Sequence, residues 1–319
     1  MVRIGVLICI LIAAAGAPAH AQSYPSKPIR LVNAFAPGGA SDVVARAFAA
    51  KLTEYLGQQV TVEPRVGAGG NIAAETVARA PADGYTLLMG TFFLATNTSL
   101  YSKISWDPQR DFAPISMVTA SPLILCVHPS LPARSTKELI ALAKKQPGEL
   151  NFPSAGNGTS MHLGSELFNM MAGIKTVHVP YKGSGPGVLD LVAGRLHFML
   201  NPMPEPVPFI QAGRLRALAT STAKRISALP DLPPVADAVP GYDVVTWQGL
   251  VAPAGTPKEI IDRLNAELVK SLKDREFAAR MRGMGLELYG TTPAQFAQFI
   301  RDETAKWATV IKATGARVD

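Results

Sequence analysis

The chain has 319 residues, 48% of them hydrophobic, and carries 31 Lys and Arg against 24 Asp and Glu for a net charge of +7. Its basic residues are scattered, with no block of the length that marks a nucleic-acid arm, which speaks against nucleic acid as a partner. The two cysteines, Cys9 and Cys126, are too few for a disulfide framework.

Residues 1–21 read as a cleavable signal peptide: Arg3 supplies the positive start, Ile4 to Ala15 the apolar core, and Ala19-His20-Ala21 the small-x-small cleavage site. Cleavage after Ala21 would export the mature protein and remove Arg3 and Cys9. Cys126 is left alone in the apolar run SPLILCVHP, where an inert core thiol is expected. No later segment is apolar over the length a membrane span needs, so the mature protein is expected not to be membrane-embedded. About 300 remaining residues suffice for two lobes with separate cores.

Short apolar strands then alternate with amphipathic helices, the pattern of an α/β fold with largely parallel sheets. Ile29–Asn33 reads as a strand. A helix opening at Ser41 or Asp42 carries Val43, Val44, Ala47, Phe48, Leu52 and Leu56 at helical spacing and stops at Gly57. Gln59–Glu63 is the next strand, and Asn71 is placed to cap a helix to Arg79. Thr86–Met89 is a strand leading into Gly90-Thr91-Phe92-Phe93. Phe112–Val118 and Leu123–Val127 read as two strands around Ala120-Ser121-Pro122, the crossover between lobes. Strands at 150–153 and 176–180 each run into a glycine-rich turn and a helix, the second helix with Leu189 and Val192 on its core face. Strands at 196–200 and 215–219, a proline-rich loop at 230–240 and a return strand over 244–252 follow. Three helices, at 258–272, around 276–284 and at 293–311, close the chain.

Three glycine-rich turns precede helices: Pro37–Ser41, Ser154–Thr159 and Gly183–Gly187. Such a turn aims free backbone N–H groups and the positive end of a helix at one spot, which suits an anion. Strand carboxyl ends in open α/β sheets are where ligands bind. A carboxylate is therefore expected on the backbone of Gly38-Gly39 and of Gly156, Asn157, Gly158 and Thr159, with hydroxyls from Ser154, Thr159, Ser160 and Ser184. The rest of the ligand would lie against Phe35, Phe92 and Phe93. Asp42 is either a contact to a ligand amine or a first-turn carboxylate that steadies its own helix. His162 is either a donor to the ligand or a packing histidine. Lys182, after Tyr181, either counters a carboxylate or is solvated. Met170 and Met171 are read as core.

Catalytic signatures are missing. There is no G-x-S-x-G elbow, Gly67-Ala68-Gly69 lacks the dinucleotide spacing, and no P-loop lysine follows a glycine turn. His128, His178 and His197 lack the short spacing of a zinc site. No catalytic residue, metal or cofactor is expected.

Several long blocks carry a family resemblance: PGGASDVVAR, GAGGNIAAETVARAPADGYTLLMG, NFPSAGNGTSMHL, VPYKGSGPGVLDLVAGRLHFM and WQGLVAPAGTPKEIIDRLN. In these the chain resembles the periplasmic substrate-binding proteins of tripartite tricarboxylate transporters, the Bug family, over essentially the whole mature length. The resemblance implies a type II periplasmic-binding-protein fold, with two α/β lobes joined by a two-strand hinge and a ligand cleft between them. The lobes would be 22–122 with 252–319, and 123–251 including the hinge strands. It marks Phe35, Ala36, Pro37, Gly38, Gly39, Ser41 and Asp42 in the first lobe. In the second it marks Ser154 to Thr159 with His162, and Tyr181, Lys182, Gly183 and Ser184. Thr91 joins Phe92 and Phe93 at a strand end facing the cleft. Where the family often has aspartate this chain has Asn201, which favours a second acidic group or a neutral polar body over an amine. The implied function is a monomeric receptor that captures a small carboxylate, aliphatic or aromatic, and delivers it to inner-membrane transporter subunits. The alternatives are a ligand sensor signalling to a membrane protein, or an exported hydrolase or isomerase.

Overall fold

Strands from both ends of the chain meet in one mixed sheet. The computed structural model describes residues 24–35, 37–38, 40–181, 183–203, 205–226 and 228–318. The signal peptide with its cleavage site and Cys9 lies outside the described residues, as do Ala36, Gly39 and Lys182.

The first strand, β1 (Ile29–Asn33), is flanked by β2 (Val60–Pro64) and β3 (Thr86–Thr91), both parallel to it. Every residue of β3 is buried, as expected of a strand covered on both faces. Helix α1 (Ala40–Leu56) lays Phe48, Leu52 and Leu56 on the sheet, while Val43 faces solvent, so the apolar stripe is narrower than the sequence pattern implied. Helix α2 (Asn71–Ala78) is not capped by Asn71. The residue before it is Gly70, at φ 102°, and the Asn71 side chain instead accepts from Asn97 Nδ2 at 2.9 Å. A further helix, α3 (Phe93–Leu100), follows β3 where the sequence pattern showed none.

The two strands expected around Pro122 are one continuous strand, β4 (Phe112–Val127). The proline is tolerated because the ladder changes partner there, so a missing N–H costs nothing. Up to Pro122, β4 pairs antiparallel with β9 (Val245–Pro253). From Leu123 on it pairs antiparallel with β7 (Phe198–Pro202) and β8 (Arg216–Thr220). At the changeover Leu123 N–H donates to Ser221 Oγ at 2.8 Å. Strand β9 returns between β4 and β3, antiparallel to both.

Between these crossings, helix α4 (Thr136–Lys145), also missing from the expected order, starts on the Ser135 cap. Then β5 (Asn151–Ser154) leads into α5 (Ser160–Ala172), and β6 (Val177–Pro180), parallel to β5, leads into α6 (Ser184–Val192). Leu189 of α6 and Met170 and Met171 of α5 are exposed rather than core; Val188, Leu191 and Val192 make the buried face of α6. A short helix, α7 (Val207–Gln211), precedes β8. After β9 come α8 (Lys258–Lys273), α9 (Arg275–Gly283), the two-residue β10 (Glu287–Leu288) on the edge of β4, and α10 (Pro293–Thr314). Helix α10 opens on a Thr292–Gln295 capping box.

One apolar cluster packs α1, α8 and α9 on a single face of the sheet. The other is continuous from Val32 and Leu88, through Leu125 of β4, to Phe152 and Phe198. The lobes therefore do not have the separate cores expected. A strand shared by both sheet halves, and a helix α10 packed on both β4 and α5, join them.

Candidate functional site

A cavity of about 400 Å³ opens where the strand ends β1, β3, β5 and β6 meet their helices. Phe35, Ala40 and Ser41 line it from the β1–α1 turn, and Thr91, Phe92 and Phe93 from the β3–α3 turn. Asn157 to Met161 enter from β5–α5, and Gly183 and Ser184 from β6–α6. Four helix starts thus surround one space. The first N–H groups of a helix have no intrahelical partner and carry its positive end, so the space favours an anion. Part of the wall is aromatic. Phe35 meets Phe93 edge-on at 6.3 Å, and Phe92 is braced by Trp307 of α10 at 4.8 Å. From β9, Thr246 and Gln248, two apart and so on one face, complete the lining. The Thr246 hydroxyl lies 2.7 Å from that of Ser160.

The glycine turns hold themselves together more than expected. Gly38 N–H donates to Asp42 Oδ2 at 3.0 Å, and Arg46 Nε donates to the same oxygen at 2.8 Å. Asp42 is therefore a buried clasp of its own loop, its carboxyl held below the usual range chiefly by Arg46. Ser41 donates to Asn33 Oδ1 at 2.8 Å, and Asn33 Nδ2 to the Phe35 carbonyl.

In the second turn, Gly156 N–H donates to Ser154 Oγ at 3.1 Å and Gly158 N–H to His162 Nδ1 at 3.1 Å. Thr159 Oγ1 donates to the Gly156 carbonyl and caps α5. Gly38, Gly156 and Gly158 thus spend on their own loops the donors expected for a ligand. Among the described residues, the donors of α5 left for a ligand are those of its first residues, Ser160 and Met161.

His162 and His178 stack at 3.9 Å. Burial pushes His162 down to about 3, helped by His178, and pushes His178 down to about 4. Both are neutral at neutral pH. His178 Nε2 lies 2.6 Å from Ser154 Oγ, which also donates to the Gly156 carbonyl at 3.0 Å. With the serine proton committed there, His178 is the donor in that pair. Ser154 is fully buried and lies off the cavity, so the pair is scaffolding rather than a nucleophile with its base.

Of the expected contacts, Phe35, Ser41, Thr91, Phe92, Phe93, Asn157, Gly158, Thr159, Gly183 and Ser184 line the cavity. Pro37, Gly38, Asp42, Ser154, Gly156, His162, Tyr181 and Asn201 do not. Tyr181, for example, donates to Asp190 at 2.6 Å. Asn97, Leu100 and Tyr101 reach the cavity because α3 exists, and the β9 pair was signalled only by its period of two. Glu205, also on the lining, changes the reading of Asn201. It accepts from Asn201 Nδ2 at 3.1 Å and from Ser184 Oγ at 2.8 Å, so the negative charge missing at 201 returns beside it.

Two α/β lobes sharing strands, with a polar and aromatic cavity at their strand ends, define a periplasmic solute-binding protein. The structure titled "R. palustris Rpa4515 with adipate" superposes with a TM-score of 0.82 at 39% identity, covering 92% of this chain and all of that one. MatC (Rpa3494) from Rhodopseudomonas palustris with bound malate superposes at 0.78 with 30% identity, covering 90% of this chain and all of that one. Protein BugT of Bordetella pertussis is 38% identical over 323 residues, covering 100% of this chain and 99% of its own length. Residues 44–316 match the tripartite tricarboxylate transporter family receptor, TctC, and the chain belongs to that family.

Proposed function

We propose that this receptor captures a small carboxylate-bearing molecule in the cavity between its lobes and hands it to a tripartite tricarboxylate-type transporter in the inner membrane, without chemical change and without a cofactor. The observation that carries the reading is the convergence of four helix starts and an aromatic wall on one cavity of about 400 Å³, within the range of small-molecule sites. The carboxylate docks on the first N–H groups of α5 and α1, by charge-assisted bonds. The apolar body lies on Phe35, Phe92 and Phe93. Relatives with adipate and malate bound support a carboxylate as ligand. We assign residues 22–122 with 252–319 to one lobe and 123–251 to the other, and take the mature protein to be a periplasmic monomer released by cleavage after Ala21.

A thermal-shift screen of the purified protein against mono-, di- and tricarboxylates, aromatic acids and amino acids tests the reading. A ligand that binds only the folded state raises Tm. The expected result is a rise with one class of acid and none with its amide or ester. A rise with neutral compounds alone, or turnover of the bound acid, would refute it.

A further inference from the structure

Glu205 places a carboxylate on the wall of a cavity whose helix starts favour anions. Its position is specific. Ser184, the first residue of the nine-residue helix α6, donates to one oxygen at 2.8 Å, and Asn201 Nδ2 donates to the other at 3.1 Å. The side chain thus lies beside the first residue of α6, close to where a second ligand carboxylate would sit. Among the described residues each Glu205 oxygen accepts a single donor, which leaves lone pairs for more, and a carboxylate can only accept.

A second observation points the same way. Gln248, 5% exposed and also on the cavity wall, has its Oε1 buried with no partner among the described residues. A buried acceptor without a donor is costly, and a ligand that donates removes the cost.

From these two acceptors we infer that Glu205 sets specificity: the receptor takes an acid whose far end is a hydrogen-bond-donating cation, an amino acid or ω-amino acid, in preference to a diacid. This rests on the carboxylate reading proposed above. A diacid brings like charges together on the Glu205 side, a repulsive element that selects against it. An ammonium there pairs with Glu205 and gains a charge-assisted bond.

The test is calorimetric titration of the purified protein, stripped of any bound molecule by unfolding and refolding, with hexanoate, adipate and 6-aminohexanoate and with the matching four- and five-carbon sets. The wild type should bind the amino acid roughly tenfold more tightly than the diacid of equal length, a difference of about 1.4 kcal/mol. Glu205→Gln should abolish that preference. Glu205→Ser, which frees the Ser184 and Asn201 donors for a ligand carboxylate, should gain affinity for the diacid, a result that misfolding cannot imitate. Equal binding of diacid and amino acid by wild type, with no change in either variant, would overturn the inference and leave the carboxylate reading standing. Failure of every acid in this panel to bind would overturn the inference, and failure of the wider acid screen above would overturn the carboxylate reading as well.

Discussion

Asp42 holds the loop after β1 through one oxygen, which accepts from both Gly38 N–H and Arg46, while its Oδ1 is buried with no partner among the described residues. Removing the carboxylate takes the partner from a part-buried Gly38 N–H and from Arg46, at a cost of about 1 kcal/mol. Asp42→Ala should therefore lower the midpoint of urea unfolding and also weaken ligand binding, because Phe35 and Ser41 hang from the same loop. An unchanged affinity would mean the loop does not need its clasp to present them. Cys126 is a contrasting case. It is fully buried in β4 between Met199 of β7 and Ala217 of β8, and burial drives its thiol pKa up. Cys126→Ala should cost about 1–2 kcal/mol in stability through the small cavity left behind. Ligand affinity should stay as it is, and in the folded wild type the thiol should resist thiol-specific reagents. Rapid labelling of the native protein would show that this strand opens.

At the scale of elements, the turn from β5 to α5 depends on two neutral histidines. His162 accepts the Gly158 N–H, and His178 stacks on it and donates to Ser154. Folding lowers both from 6.5, to about 3 and about 4, so below pH 6.5 the unfolded chain binds protons that the folded chain refuses. Stability rises with pH wherever the unfolded state binds more protons. The pair's contribution is therefore complete above pH 6.5 and is lost as pH falls toward about 4 for His178 and about 3 for His162. Thermal melts across that range should show a steep fall in Tm, and His162→Gln, whose Oε1 can still accept from Gly158, should show a shallower one. Equal slopes would place the acid sensitivity elsewhere. None of this bonding was legible in the sequence, because the partners are 4 and 24 residues apart and share no local pattern. What was legible was the rhythm of strand, glycine turn and helix, since period and turn chemistry are local properties. It located three of the four helix starts around the cavity. The fourth, α3, was hidden because FLATNTSL has a nearly uniform polarity around the helix and an uncapped start at Phe92. Pro122 misled for the opposite reason: a local strand breaker was neutralised by a change of partner set by the tertiary fold.

For the whole molecule, the decisive contact runs across the cavity. Gly158 belongs to the β5–α5 turn and Leu100 to the end of α3, on opposite sides of the space. A Cβ on Gly158 would stand 2.6 Å from Leu100 Cδ1, and the glycine sits at φ +78°, where a β-branched residue is strained. Leu100 ends a flexible side chain and can yield some room, but the backbone cannot relax without releasing the His162 bond to Gly158. A larger residue here is thus a wedge between the two sides as well as a strain on one of them. If capture proceeds by hinge closure, the free energy of closing is drawn from ligand contacts made on both sides. Gly158→Val should then reduce affinity by roughly tenfold or more, the loss of one good charge-assisted contact. Solution scattering should show the wild type contracting when ligand is added and the variant remaining expanded at the same degree of saturation. A variant that binds weakly yet contracts as the wild type does would place the loss in the turn alone. A variant that binds normally would show that the cavity admits its ligand without the close approach of Gly158 to Leu100 seen here.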